Sequence, residues 1–164
     1  KDRFRKDLNA AVIVCSDTIS AGQKEDKAGK SIIKKLEECG VSITEYVVIP
    51  DENEIIQEKV IQYQKQDIDL IIYTGGTGLS IRDVTPEALL PLLERRIPGV
   101  EEAIRTYGQD RTPYSMLSRS VAGTIGNTLV LALPGSTNGA KESMDAIFPA
   151  VLHIFRILKG ARHD

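Results

Sequence analysis

The sequence predicts an α/β protein: a three-layer α/β/α sandwich built on a mostly parallel sheet. Three observations predict it. Uncharged apolar runs at residues 10–15, 70–73 and 129–133 read as strands buried on both faces, as in a parallel sheet. Segments of helical periodicity alternate with the strands, as right-handed crossovers require. Each of the three runs ends in small polar residues: Ser16-Asp17-Thr18, Thr74-Gly75-Gly76-Thr77-Gly78 and Pro134-Gly135-Ser136-Thr137-Asn138. In an open α/β sheet such carboxyl ends line one crevice, which predicts a single site.

Taken in order, the first strand (residues 10–15) passes into a polar loop over 20–27. Residues 29–39 place Ile32, Ile33 and Leu36 on one helical face, and Gly40 stops the helix. A second strand covers 41–49 and closes at Pro50-Asp51-Glu52-Asn53. Asn53 or Asp51 is expected to cap a helix running to about residue 65, with Ile55, Ile56, Val60 and Ile61 inward. The glycine turn after the 70–73 strand leads to Thr85-Pro86, read as a cap and a first helical residue. A short helix over 88–93 then ends in a solvated Glu94-Arg95-Arg96. Pro98 starts a helix to about Tyr107, ended by Gly108. A loop over 109–114 and a helical turn or loop over 115–119 come next. Strands 120–124 and 128–133 flank a hairpin turn at Ile125-Gly126-Asn127. The last helical pattern spans 139–159, and Pro149 should kink or split it. No internal repeat or linker is present, so residues 1–164 read as one domain.

With 164 residues, 41% hydrophobic and 27% charged, the chain has ordinary globular usage and length for a sizeable core. A net charge of -2 lacks the electrostatic footprint of a nucleic-acid binder. No apolar run approaches the roughly 20 residues needed to span a bilayer. The first residue is not Met, which leaves room for a longer protein. Cys15 and Cys39 suit reduced thiols of a cytoplasmic protein. With His153 on an apolar helix and His163 near the end, a Ser-His-Asp or Cys-His mechanism has no evident base.

The chemistry concentrates around residues 69–86. Gly75, Gly76 and Gly78 can bring backbone N–H groups close to an anion. Strand, glycine turn and helix start describe an anion pocket, with Arg82 and Asp83 beside it. Gly29-Lys30-Ser31 resembles the end of a P-loop, but Lys24 stands where its first glycine belongs. A dinucleotide fingerprint fails at Ile81. Asp51 and Asp83 each lie near a strand's carboxyl end. Two carboxylates beside a phosphate pocket suit Mg²⁺, which prefers oxygen ligands and phosphates. A helix cap for Asp51 and a turn role for Asp83 are the plainer alternatives, and Asp17 is ambiguous in the same way. Arg119, beside Ser118 and Ser120, reads equally as an anion contact or a surface residue.

These stretches, with Pro50-Asp51-Glu52, Arg82-Asp83-Val84-Thr85-Pro86-Glu87, Met116-Leu117-Ser118-Arg119-Ser120 and Leu133-Pro134-Gly135-Ser136, cover nearly the whole chain. In this order the chain resembles the molybdopterin adenylyltransferase family, which includes MogA, MoaB and the G domain of gephyrin. Thr137-Asn138 departs from the Pro that many members carry there. The resemblance implies a molybdopterin-binding-like fold and a role in molybdenum cofactor biosynthesis. It implies attack of the molybdopterin phosphate on the α-phosphorus of ATP, with Mg²⁺, and loss of pyrophosphate. Asp51 and Asp83 match the essential acidic positions and would hold the Mg-nucleotide. Gly75, Gly76, Thr77 and Gly78 would cradle phosphate. Ser16, Asp17, Ser136 and Asn138 would line the pterin or nucleotide side. The resemblance also implies a homotrimer, or a hexamer as in some members, and a link to other molybdenum cofactor enzymes. Two alternatives stand beside it: a catalytically weak molybdopterin-binding module, and a different enzyme on the same fold.

Overall fold

The computed structural model describes residues 7–158 and Gly160. Among them six strands form one sheet in the order β2-β1-β3-β6-β5-β4. β1 (Asn9–Cys15), β2 (Ser42–Ile49), β3 (Leu70–Thr74) and β6 (Thr128–Leu133) are mutually parallel; β5 (Val121–Ile125) runs antiparallel beside β6. The chain places β2 on one side of β1 and β3 on the other. Their carboxyl ends therefore open a crevice at the point where the strand order reverses.

The sheet is buried on both sides because its central strands carry apolar residues at every position. Ala10, Val12, Leu70, Ile72, Leu129 and Leu131 face α2 (Ala28–Glu38), α5 (Pro98–Gln109) and α6 (Thr137–Ile147). Ala11, Ile13, Ile71, Tyr73, Val130 and Ala132 face α3 (Asn53–Lys65) and α4 (Thr85–Leu89). Three layers result, as the alternating pattern predicts. The hairpin turn is Gly126-Asn127, with Gly126 at φ 56°. Pro149 splits the last helical pattern: α6 ends at Ile147, a 3-10 turn covers Ala150–His153 and α7 spans Ile154–Leu158. The expected end at Lys159 and the His163 position lie outside the described residues. Among those residues no helix is long and apolar enough to cross a membrane, and both cysteines are free thiols.

Several local expectations are corrected. The turn after β1 contains a short helix, α1 (Asp17–Ser20), capped by the Ser16 hydroxyl, which accepts from the Ile19 N–H at 3.2 Å. Neither Asp51 nor Asn53 caps α3: Glu52 holds that position without a side-chain bond, and Asp51 turns back toward β1. Thr85 is the first residue of α4 rather than its cap, because its hydroxyl is engaged by the glycine turn. Pro91 brings on a 3-10 turn at Leu90–Leu92, so the helix expected over 88–93 is short. Arg95-Arg96 is not a helix end but the edge strand β4, paired with Thr124 and Gly123. A side chain at Gly123 would sit 2.5 Å from the Arg95 carbonyl, so glycine makes that pairing fit. Gly108 lies inside α5 rather than ending it; a Cβ there would collide with Ser115 Oγ. A 3-10 turn follows at Pro113–Leu117.

Candidate functional site

The glycine turn is built by close backbone approach. Gly75 has φ 103°, and a Cβ on it would collide with the Cys15 carbonyl oxygen. Gly76 has φ 69°, and its Cβ would strike Thr85 Oγ1. Only glycine fits both positions. Thr85 then fastens the turn: its hydroxyl donates to the Gly75 carbonyl at 2.9 Å and its N–H to the Gly76 carbonyl at 3.1 Å. The neighbouring turn at Gly135 packs directly on Gly75 and leaves no room for a larger residue. Strand ends β1, β3 and β6 thus meet at one place.

A cleft of about 260 Å³ opens there. Ser16, Asp51, Gly75, Gly76, Asp83 and Ser136 line it. Four other residues predicted for the site are placed differently. Asp17 lies outside the cleft lining, hydrogen-bonded to Asp51. Thr77 and Gly78 lie outside the cleft lining, and their carbonyls receive N–H groups of Arg119. Asn138 is exposed in the first turn of α6, which Ser136 caps by accepting the Gly139 N–H at 3.0 Å.

Asp17 and Asp51 clasp each other through the backbone. The Asp17 N–H donates to Asp51 Oδ2 at 3.1 Å, and the Asp51 N–H donates to Asp17 Oδ1 at 3.0 Å. Arg82 makes a forked contact to Asp17, Nε to Oδ2 at 2.9 Å and Nη2 to Oδ1 at 3.0 Å. This contact, helped by the Asp51 N–H, holds the Asp17 carboxyl below the usual carboxylate range. The Asp51 carboxyl moves the other way. Burial raises it, and the charges of Asp17 and Asp83 add to the rise. Asp51 Oδ1 is buried and has no hydrogen-bond partner. Asp83 Oδ2 accepts the Ser80 N–H at 2.9 Å and lies where a Cβ on Gly78 would fall. Burial pushes the Cys15 thiol up to about 12, so in the cleft wall it is a protonated group rather than a nucleophile.

Sequence reasoning left several residues at or beside the cleft unplaced. Arg119 is neither a free anion contact nor a bare surface residue. Its Nε donates to the Gly78 carbonyl at 2.9 Å, its Nη2 to the Asp83 carbonyl at 3.0 Å, and its Nη1 pairs with Glu87. Lys24, Asp26, Lys27 and Thr137 also line the cleft. Asp26-Lys27-Ala28-Gly29 was the available signal, since a carboxylate three residues before a helical glycine is a turn device. Periodicity could not say that the loop faces the site.

The donor set suits a divalent cation held jointly with phosphate. Among the described residues no trio of His, Cys, Asp or Glu is arranged to hold a metal unaided. Mg²⁺ characteristically takes one or two carboxylates and completes its shell with substrate phosphate and water. The unpartnered Asp51 Oδ1 beside Asp83 fits that habit.

Residues 11–153 match the family described as "Probable molybdopterin binding domain". The chain is 38% identical over 161 residues to molybdenum cofactor biosynthesis protein B of Staphylococcus carnosus, covering 95% of this chain and 94% of that protein. It is 40% identical over 153 residues to a molybdenum cofactor biosynthesis bifunctional protein of Chlorobaculum tepidum, but spans only 49% of its length. It spans 22% of gephyrin from Dictyostelium discoideum. The crystal structure of the molybdopterin biosynthesis enzyme MoaB from Thermus thermophilus superposes with a TM-score of 0.87 at 36% identity, covering 96% of this chain and 99% of that one. With this fold, these glycine turns and a match over residues 11–153, the chain belongs to the molybdopterin-binding domain family, among its MogA- and MoaB-like members.

Proposed function

We propose that this protein acts in molybdenum cofactor biosynthesis and transfers an adenylyl group from Mg-ATP to molybdopterin. One observation carries the reading: a buried carboxylate oxygen without a partner, Asp51 Oδ1, beside Asp83 in a cleft floored by glycine turns. Such an oxygen is costly unless a cation or a hydrogen-bond donor meets it. Bound Mg²⁺ would supply charge neutralisation for the nucleotide phosphates.

The chain's own residues position the reactants. Asp51 and Asp83 hold the Mg-nucleotide, and Gly75 and Gly76 let the phosphates approach the backbone. A second cavity of about 230 Å³, lined by residues including Ile104, Tyr114, Ser115 and Ser118, shares Ser136 with the cleft. In this reading the pterin would sit there, next to the nucleotide. A terminal phosphate oxygen then attacks the α-phosphorus. The new P–O bond forms as the bond to the β-phosphate oxygen breaks, and pyrophosphate leaves with the electron pair. Such transfer depends on positioning and charge more than on a strong base. This suits a cleft where Cys15 stays protonated and, among the described residues, no histidine lines the wall. Exposed Leu79, Ile81, Met116 and Leu117 would give a homotrimer an apolar face.

The test is incubation with molybdopterin, ATP and Mg²⁺ and detection of the adenylated product. Asp83→Asn should lower turnover about 100-fold or more while molybdopterin binding persists. Wild-type protein that binds pterin but never forms the adenylate would leave a binding module.

A further inference from the structure

The loop between α1 and α2 carries charges that the reading above leaves unassigned. Lys24, Glu25, Asp26 and Lys27 all line the cleft. Both loop carboxylates are engaged inside the loop and its immediate supports. Glu25 pairs with Lys30 at 3.4 Å. Asp26 is only 5% exposed; its Oδ1 accepts the Gly29 N–H at 2.8 Å and its Oδ2 accepts the Tyr46 hydroxyl. A Cβ on Gly29 would collide with Asp26 Oδ2 and lie 2.6 Å from Val14 Cγ2, so glycine lets the carboxylate seat against the sheet. Lys24 and Lys27 are different. Among the described residues neither has an acidic partner within ion-pair distance. The cleft therefore holds a carboxylate pair, Asp51 and Asp83, and two cations without counter-charges on a loop anchored through Asp26.

We propose that Lys24 and Lys27 form the subsite for the pyrophosphate part of the nucleotide. The inference rests on the adenylyltransferase reading and names where the leaving group goes. As the bond to the α-phosphorus breaks, the departing oxygen takes the electron pair. Two ammonium groups at that end balance the charge that develops there. The carboxylates would repel the same group without a metal, so the cations fix which way the triphosphate lies.

The experiment is calorimetric titration of the intact chain with Mg-pyrophosphate, Mg-ATP and AMP, on wild type, K24Q, K27Q and K24Q/K27Q. Both lysines are exposed, so the variants should melt as wild type does. The double variant should bind Mg-pyrophosphate and Mg-ATP about tenfold or more weakly, the loss of charge-assisted contacts, while AMP binding is unchanged. K24R/K27R should restore most of the affinity. Unchanged Mg-pyrophosphate binding in the double variant, or equal weakening of AMP and ATP, overturns the subsite. Lysine-dependent binding of Mg-pyrophosphate by a protein that forms no adenylate keeps the subsite and removes the adenylyltransferase reading. A wild-type protein that binds neither Mg-ATP nor Mg-pyrophosphate removes both.

Discussion

Asp51 shows how a residue can be held against its own preference. Its carboxyl is raised by burial, whereas Asp17, gripped by Arg82, is lowered. The two therefore act oppositely on stability. Asp17 contributes stability above its unfolded pKa that is lost as pH falls through its lowered folded value. Asp51 contributes only below its unfolded pKa, and that contribution disappears as pH rises through its raised folded value. At neutral pH the ionised Asp51 thus opposes folding. Asp51→Asn should raise the melting midpoint at neutral pH, by about 1–2 °C after allowance for solvent screening, and abolish any stabilisation by Mg-ATP. In wild type, that stabilisation should fade as pH drops through the Asp51 pKa. Scanning calorimetry with and without Mg-ATP checks both. A lower midpoint for Asp51→Asn would make the residue a structural support.

At the scale of elements, the segment from Thr77 to Asp83 is held from outside itself. The Arg119 guanidinium spans the carbonyls of Gly78 and Asp83, and its own N–H reaches the Thr77 carbonyl at 2.9 Å. Arg119→Ala should lower kcat about tenfold, a loss of roughly 1.4 kcal/mol, by letting Asp83 drift, while the KM for molybdopterin stays put. Arg119→Lys should recover only part, because one ammonium cannot bridge both carbonyls as a planar fork does. Steady-state kinetics of the folded variants decide; an unchanged kcat for Arg119→Ala would sink the brace. This is also the scale at which the sequence is least legible. Continuous apolar runs disclose β1, β3 and β6 because burial on both faces leaves no other pattern. Arg95-Arg96 looks like solvated helix end because the residues that make it a strand, Gly123 and Thr124, are distant in sequence. Glu101 is buried and receives the Arg96 guanidinium at 2.9 and 3.0 Å and the Ala122 N–H at 3.0 Å. Thr85 reads as a cap because local propensity cannot foresee that the Gly75 carbonyl will claim its hydroxyl.

For the whole molecule, the layered architecture was legible, and so was the convergence of the strand ends that bear Ser16, Gly75 and Ser136. What sequence could not supply was the packing between those ends: Gly135 against Gly75, Asp17 against Asp51, and a lysine-bearing loop as a wall. Ser136 belongs to the lining of both cavities and also caps α6. An occupant of one cavity that shifts Ser136 would reshape the other, and any coupling between the two occupants acts by the same factor in either direction. We expect the affinity for a non-hydrolysable ATP analogue to change about fivefold or more when molybdopterin is saturating, with a matching change for molybdopterin when the analogue is saturating. Paired titrations test this, and a factor of one in both would mean that the shared serine isolates its neighbours. If the factor holds, one wall tunes the grip of each chamber on its reactant, and a compound filling either chamber would report on the occupancy of the other.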